Sequence, residues 1–194
     1  MTVAVIASLY GDYDCFVDDW HRSIASLNRR PDEVILRRGA VPSELYPQPR
    51  LLNEAIAQAT SDWIWNLNVD DTALPDGLDG IDDVDADVWL MGYRRRDGQE
   101  HVPAVISNSD YIALNDNSYP AMSCFRRSAL NKVGGFPVIG YEDWGLFRRL
   151  ARAGCVFAAS GRVNSIYSRH DGQRSAVELP TKIGFYMAEM MEDA

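Results

Sequence analysis

The feature that most constrains the fold of this chain is its alternation of short apolar runs with amphipathic helical segments. Residues 3–9, VAVIASL, form a continuous apolar run, which is typical of a strand buried on both faces of a parallel sheet. A helix is predicted next from apolar residues at helical spacing, Phe16, Trp20, Ile24 and Leu27. The run EVILR then predicts a second buried strand. This strand–helix–strand order predicts an α/β fold, in which ligands bind at the carboxyl ends of the strands.

The same patterns assign elements to the rest of the chain. The proline-rich segment GAVPSELYPQP is predicted to be irregular, residues 76–87 a solvated turn or short helix, and residues 107–120 a polar loop. Helices are expected at residues 51–59, 128–133, 144–153 and 181–191, and strands at DWIWNLN and at residues 88–93, 101–106 and 164–167. No repeat, low-complexity tract or linker is present, so we expect one domain spanning residues 1–194.

Composition and charge argue against several classes of function. The chain has 194 residues and a formal net charge of −9, so its diffuse negative field opposes non-specific binding to nucleic acid. The residues Arg94 to Arg96 still offer a local basic cluster to an anionic ligand, although a solvated turn also explains them. The first apolar run lacks a basic flank, and no apolar run is long enough to cross a bilayer. Neither a signal peptide nor a membrane span is therefore predicted.

The cysteines indicate a reducing environment. There are three, at Cys15, Cys124 and Cys155, and none forms a CxxC pair. We therefore expect buried free thiols and a cytoplasmic protein, with no disulfide framework and no zinc knuckle.

Acidic residues directly follow the predicted strand DWIWNLN. Asn68, Asp70 and Asp71 supply one amide and two carboxylates, which are oxygen ligands suited to Mg²⁺ or Mn²⁺. A divalent cation there would bridge the oxygens of a diphosphate and neutralise its charge. The alternative is a turn in which an Asp caps a helix ahead of Pro75. The stretch by itself leaves both interpretations open.

A second acidic pair stands at the start of the helix EDWGLFRRLARAG. Glu142 and Asp143 can stabilise the helix dipole there, by about 0.3–1 kcal/mol each. Alternatively, one of them is a general base held on a rigid helix start. Tyr141 and Trp144 flank the acids, and aromatic walls beside a carboxylate suit the apolar C–H faces of a sugar.

A lone histidine, His170, lies in the polar segment YSRHDGQRS. Most such histidines are surface residues, but a neutral imidazole can also bind the cation expected near Asp70. Arg169 and Arg174 are near His170 in the sequence and could bind the phosphate oxygens of the same ligand.

The order of these segments resembles the GT-A-fold glycosyltransferases of family 2. The resemblance covers nearly the whole chain and rests on LNVDDTALP, CFRRSALNKVGGFP, YEDWGLFRRLARAG and YSRHDGQRS, in that order. It implies a Rossmann-like, mixed and mainly parallel sheet flanked by helices. In this resemblance LNVDD is similar to the strand end that carries the metal-binding DxD motif, and YED is similar to the ED motif of the catalytic base.

The resemblance also implies a role for each matching residue. Asp70 would be the principal ligand of Mn²⁺ or Mg²⁺, with Asn68 in the place of the first acid and His170 as a third ligand. Asp71 would orient the site or contact the donor sugar. Asp143 would be the base and Glu142 its neighbour, with Tyr141 and Trp144 on the acceptor side. The donor would be a nucleotide-diphosphate sugar, UDP-sugars being the first expectation. Residues implied to contact this donor are Ser8, Leu9, Tyr10, Arg37, Arg38, Asn53, Asn68, Asp71, Arg169 and Arg174.

The sequence departs from the family pattern at two predicted site positions, and its stretch between Gly39 and Leu51 is short for the family. Asn68 is a neutral ligand where an acid is usual, and the second strand ends in Arg37 and Arg38, whose guanidinium groups cannot accept the N–H of uracil. The reaction implied is metal-dependent transfer with inversion to an acceptor hydroxyl. The acceptor stays open among a saccharide, a lipid-linked sugar, a protein and a modified nucleic acid. Two alternatives are a sugar-phosphate nucleotidyltransferase and a non-catalytic nucleotide-sugar-binding module.

Overall fold

The computed structural model describes residues 1–39, 47–114, 116–138 and 141–170. The strands are β1 (Val3–Leu9), β2 (Glu33–Arg38), β3 (Trp63–Asn66), β4 (Thr72–Ala73), β5 (Val88–Arg95), β6 (Glu100–His101), β7 (Cys124–Arg126) and β8 (Phe157–Tyr167). The α-helices are α1 (Val17–Ala25), α2 (Pro47–Gln58), α3 (Asn108–Ala113), α4 (Arg127–Val133) and α5 (Glu142–Arg152). Short 3₁₀ helices cover Tyr13–Phe16 and Ile81–Asp83.

The strands form one mixed sheet in the order β2-β1-β3-β7-β5-β8-β4, and β6 pairs with the end of β5. Strands β2, β1 and β3 are parallel, as are β5 and β8, while β7 is antiparallel to both β3 and β5. Strands β1, β2, β3, β5 and β8 therefore share one direction, and their carboxyl ends meet at one edge of the sheet. The prediction of an α/β fold with a mainly parallel sheet is confirmed.

Apolar side chains alternate between two cores, one on each face of the sheet. In β1, Ala4 and Ile6 belong to the core that includes residues of α2, α4 and α5. Val3, Val5 and Ala7 belong to the opposite core, which includes residues of α1. The continuous apolar run of β1 is explained by this burial on both faces, because each Val or Ile buried contributes about 1.5–3 kcal/mol.

Several predicted elements are confirmed within a few residues, and others are wrong. The irregular segment was expected to continue to Pro49, but α2 begins at Pro47, because proline fits the first turn of a helix without losing a hydrogen bond. The strand predicted at residues 101–106 is only the two-residue β6. The helix predicted at residues 181–191 lies outside the described residues.

The predicted polar loop at residues 107–120 contains a helix instead. Ser107 is its N-cap, with the side-chain oxygen accepting the backbone N–H of Asp110 at 3.1 Å. Tyr111 on this helix is buried. The segment MSCFRR was not assigned to a strand, yet Cys124–Arg126 forms β7, which joins the two parallel parts of the sheet.

The opposite, amino-terminal edge of the sheet is joined by carboxylates that accept backbone N–H groups. Asp32 accepts the N–H of Val3 at 2.8 Å, and Asp62 accepts that of Thr2 at 2.9 Å. Glu33 accepts the N–H groups of Thr60 and Ser61, residues of the loop before β3. These bonds connect the starts of β1, β2 and β3.

The structure also tests the expectation that the three cysteines are buried free thiols. Cys124 and Cys155 are buried free thiols as predicted, but Cys15 is exposed, so the prediction is wrong for that residue. It lies in the 3₁₀ turn after β1, which contributes no fully buried side chain.

Among the helices of the described ranges, none combines the length and apolarity that crossing a bilayer would require.

Candidate active site

A cleft of about 300 Å³ lies at the carboxyl edge of the sheet. It is lined by residues that come from separate parts of the chain: Ser8, Tyr10, Tyr13, Gln48, Asn68, Val69, Asp70, Asp116, Asn117, Ala121, Tyr141, Glu142, Asp143 and Tyr167. Both acidic pairs singled out by the sequence therefore contribute to the same cleft. Polar groups gathered at the carboxyl ends of parallel strands are the usual arrangement of a ligand site in an α/β fold.

The turn after β3 buries two carboxylates. The N–H of Asp71 donates to the carbonyl oxygen of Asn68 at 3.0 Å, so the predicted turn is present. The Asp71 carboxylate accepts the backbone N–H of Ser168 at 2.9 Å and the side-chain amide of Asn68 at 3.1 Å. Asp71 thus joins the exit of β3 to the exit of β8. Burial raises the pKa of Asp71 well above its usual value, and the adjacent charge of Asp70 raises it further.

Asp70, in the same turn, lies next to His170 from the segment after β8. His170 Nε2 lies 3.2 Å from Asp70 Oδ2, although the two residues are distant in sequence. Burial raises the pKa of the Asp70 carboxyl, and hydrogen bonds, including that with His170, oppose the increase. The imidazole lies against the rings of Tyr13 and Phe16, at centroid distances of 5.4 and 5.1 Å. The turn after β1 therefore fixes the histidine beside Asp70.

This donor set can be compared with the requirements of a divalent cation. No group of three or more His, Cys, Asp or Glu side chains within the described ranges is arranged to hold a metal ion. Asp70 and His170 nevertheless present one oxygen and one nitrogen 3.2 Å apart. Asn68 lines the cleft beside them and commits only its amide nitrogen to Asp71. These residues fit a cation that takes its other ligands from a diphosphate and water, as Mg²⁺ commonly does.

The other acidic pair opens helix α5. The N-cap is Tyr141, whose carbonyl oxygen accepts the N–H of Gly145 at 3.1 Å, so neither acid is the cap. Tyr141 has a φ of 59°, and it is the only residue other than glycine with positive φ in the described ranges. Left-handed backbone at a non-glycine residue costs about 1–3 kcal/mol and is concentrated at functional sites. It turns the chain so that Tyr141, Glu142 and Asp143 all line the cleft.

Asp143 is held by a residue that sequence reasoning did not identify. The side-chain amide of Asn117 donates to Asp143 Oδ2 at 2.9 Å. Asn117 lies in the segment after α3, where no motif marks it in the sequence. Other cleft residues that were not predicted are Tyr13, Gln48, Val69, Asp116, Ala121 and Tyr167. Only their position after strand ends or in polar loops could have indicated them.

Of the other residues predicted to contact the nucleotide sugar, some line the cleft and others do not. Ser8 and Tyr10 line it, whereas Leu9, at the end of β1, is buried in the core near α1. Arg37 pairs with Glu54 at 3.2 Å, and Arg38 pairs with Asp14, so both arginines have acidic partners on the protein.

Three other predicted residues have a different setting. The side chain of Asn53 donates to the carbonyl oxygen of Phe136 and accepts its N–H, both at 2.8 Å, which fixes the turn after α4. Trp144 is fully buried in the core, outside the cleft lining. Arg169 is exposed beside Ser168, and Arg174 lies outside the described residues.

Solved structures identify the fold. S. aureus TarS 1–349 in complex with UDP-GlcNAc is 16% identical, with a TM-score of 0.70 over 91% of this chain and 61% of that chain. The mannosyltransferase PcManGT from Pyrobaculum calidifontis, in complex with GDP-Man and Mn²⁺, is 14% identical, with a TM-score of 0.63 over 96% of this chain and 64% of that one. The chain has a GT-A glycosyltransferase fold. The catalytic domain of Drosophila β1,4-galactosyltransferase 7 with xylobiose agrees, at 15% identity and a TM-score of 0.59 over 90% of this chain and 72% of that one.

These similarities concern the fold. This chain spans less than two thirds of the length of the TarS and PcManGT structures. No protein-family model matches the sequence, and no curated protein matches it.

Proposed function

We propose that this chain is a glycosyltransferase of family 2 that moves a sugar from a nucleotide-diphosphate sugar to an acceptor hydroxyl with inversion. One observation supports this most: Asp70 and Asp143, which are far apart in sequence, line the same cleft. His170 is 3.2 Å from Asp70, so the third predicted segment reaches the same place. A donor site and a base on one cleft is what transfer between two bound molecules requires.

The donor would lie along the exits of β1 and β3. Ser8 and Tyr10 line that side of the cleft and would contact the nucleotide. Asp70 and His170, with Asn68, would hold Mn²⁺ or Mg²⁺, which supplies positive charge to the leaving diphosphate. TarS and PcManGT were solved with UDP-GlcNAc and GDP-Man respectively, which makes these two compounds the first donors to test.

Asp143 would act as the general base on the acceptor side. The acceptor oxygen attacks the anomeric carbon from the face opposite the diphosphate, and Asp143 takes its proton as the new C–O bond forms. The bond from the anomeric carbon to the phosphate oxygen breaks, and the nucleoside diphosphate leaves with the electron pair. Attack from the opposite face inverts the configuration. Tyr141 would lie beside the acceptor, because it lines the cleft next to the acids.

The decisive substitution is Asp143→Asn, which keeps the shape of the side chain and removes the base. Wild-type protein with Mn²⁺ is expected to release free nucleoside diphosphate from UDP-GlcNAc, GDP-Man or another nucleotide sugar, with water as the default acceptor. The variant should lose at least about 100-fold in turnover, within the range that general bases contribute. Donor affinity, measured by calorimetry, should stay within about twofold of wild type. Near-normal turnover in the variant would show that Asp143 is not the base.

A second candidate function is a non-catalytic nucleotide-sugar-binding module. It is favoured by Asn68, a neutral residue at the position where the family pattern has an acid, which makes it a weaker ligand for a cation. The same assay separates the two functions. A binding module would show calorimetric binding of a nucleotide sugar but release no free nucleotide from any donor in the panel.

A further inference from the structure

The short segment between α3 and β7 reaches the cleft through Asn117. Its amide contacts the carboxylate of Asp143, at 2.9 Å between Asn117 Nδ2 and Asp143 Oδ2. Asn117 also lines the cleft, next to the proposed base.

The orientation of the Asn117 amide is fixed by its surroundings. Its oxygen accepts the backbone N–H of Tyr119 at 3.1 Å and the hydroxyl of Tyr111 at 2.8 Å. A backbone N–H is always a donor, so the amide oxygen must face Tyr119 and the NH₂ group must face Asp143. Asn117 can therefore only donate to Asp143, and an ionised carboxylate is a stronger acceptor for this N–H than a neutral oxygen.

The two tyrosines that hold Asn117 are themselves fixed. Their rings stack at a centroid distance of 4.3 Å with an interplanar angle of 4°, and both are buried. The Tyr119 hydroxyl in turn accepts the N–H of Ile106 at 3.2 Å. Both tyrosine rings also contact Phe147 of α5, the helix that carries Asp143. Asn117, which donates the hydrogen bond, and Asp143, the proposed base, are therefore both held by the same cluster of packed aromatic rings.

We propose that Asn117 is the positioning residue of the base: it holds the Asp143 carboxylate in the orientation that receives the acceptor proton. This inference rests on the proposed glycosyl transfer, in which Asp143 is the base. A carboxylate side chain has two rotatable bonds, and a hydrogen bond to one of its oxygens favours the orientations that keep this contact. Asn117 acts through Asp143, and its effect should be seen in kcat rather than in donor binding.

The test compares Asn117→Ala and Asn117→Asp in the nucleotide-sugar hydrolysis assay with Mn²⁺. Asn117→Ala should lower kcat by about 10–100-fold, as is typical for residues that orient a reacting group, with the donor KM unchanged. Asn117→Asp occupies the same space but faces Asp143 with a second carboxylate, so it should be impaired at least as much. Tyr111→Phe, which removes only one of the two contacts to the Asn117 oxygen, should show a smaller decrease.

A double-mutant cycle separates positioning from other roles. In the Asp143→Asn background, Asn117→Ala should cause no further loss, because the group it positions is gone. An undiminished further loss would overturn the proposal, and so would wild-type kcat in Asn117→Ala. A thermal unfolding scan of each variant checks that the fold is retained. If Asn117→Ala does not fold, Asn117→Asp and Tyr111→Phe carry the test.

A crystal structure of Asn117→Ala provides a readout that does not depend on activity. The Asp143 carboxylate is expected to adopt another rotamer or to refine in several. An unchanged, fully ordered carboxylate would contradict the positioning role even if no donor were ever turned over. Conversely, a wild-type protein that hydrolyses no donor would refute the proposed glycosyl transfer, while the crystal structure would still report whether Asn117 orients Asp143.

Discussion

Acidic side chains occupy both edges of the sheet, and the two groups have opposite surroundings. At the amino-terminal edge the backbone N–H of Val3 holds the pKa of Asp32 below its usual value, and that of Thr2 does the same for Asp62. At the carboxyl edge burial raises the pKa values of Asp70 and Asp71. A carboxylate whose hydrogen bonds outweigh its desolvation stabilises the fold, whereas one whose burial outweighs its hydrogen bonds is costly unless a cation or substrate compensates it. The residue type alone therefore does not indicate the role.

The largest effect that would test this comparison is expected from Asp70→Asn. Removing the charge takes away the carboxylate that faces the proposed cation, so turnover of a nucleotide sugar with Mn²⁺ should fall by at least about 100-fold. Stability should stay level or rise, because Asp70 is only 8% exposed and its charge also raises the pKa of Asp71. The measurements are nucleotide release and the Tm without metal. A large loss of Tm with retained turnover would place Asp70 with the structural acids.

The sequence predicted much of this carboxyl edge because its signals are local. The run of β1 is apolar at every position since both faces are buried, and the acids after β3 follow a strand end, where the fold places ligands. The order of the motifs also predicted that Asp70 and Asp143 belong to one site, and both residues line the cleft.

Other parts of the site depend on contacts that no local pattern records. Asn117 is one polar residue in a polar segment, and its importance arises from Tyr111, Tyr119 and Asp143 surrounding it in space. Helix α3 was missed because its stability comes from a serine cap and the burial of Tyr111, which outweigh a weakly helical composition. Strand β7 has only three residues, and it is defined by pairing with β3 and β5 rather than by its own pattern.

A smaller effect, on stability rather than turnover, is expected from Glu33→Ala at the amino-terminal edge. Burial raises the pKa of Glu33, but hydrogen bonds from Ser61 and Thr60 outweigh it and leave the pKa lowered. The alanine variant leaves the N–H of Ser61, a residue only 2% exposed, without its acceptor. Unfolding should become easier by about 1.5–3 kcal/mol, as for hydrogen bonds to a charged group.

Thermal unfolding and nucleotide release check this second substitution together. Glu100→Ala is the matched control, since Glu100 is an exposed acid whose nearest basic partner, Arg94, is 3.9 Å away. The control should change the free energy of unfolding by no more than a surface substitution does, within about 0.5 kcal/mol. Glu33→Ala should keep wild-type turnover at a temperature where it is folded. A turnover defect as large as that of Asp70→Asn would remove the distinction between the two edges.

The smallest effect is expected from Asp62→Asn, and it should depend on pH. The pKa of Asp62 is lowered in the folded chain, first by the backbone N–H of Thr2 and then by its hydroxyl. A lowered carboxyl pKa means that the unfolded chain binds the proton more readily, so this stabilisation is present above the unfolded pKa, about 4, and is lost as pH falls through the folded pKa. The side chain is exposed, so solvent limits its contribution to less than about 1 kcal/mol.

Urea unfolding of wild type and Asp62→Asn between pH 7 and pH 3 measures this difference directly. The two free energies of unfolding should differ most at pH 7, and the difference should narrow below about pH 4, where the unfolded wild-type chain begins to bind the proton. Asp85→Asn is a suitable control, because that exposed acid lies in the segment before β5 and is not one of the carboxylates that connect the starts of β1, β2 and β3. A variant more stable than wild type at pH 7, with the gap closing as the pH falls, would mean that Asp62 is destabilising when ionised. Asp62 would then resemble Asp70 and Asp71 at the other edge. Hydrogen bonds from backbone N–H groups would not explain the pKa values of the acids at the amino-terminal edge.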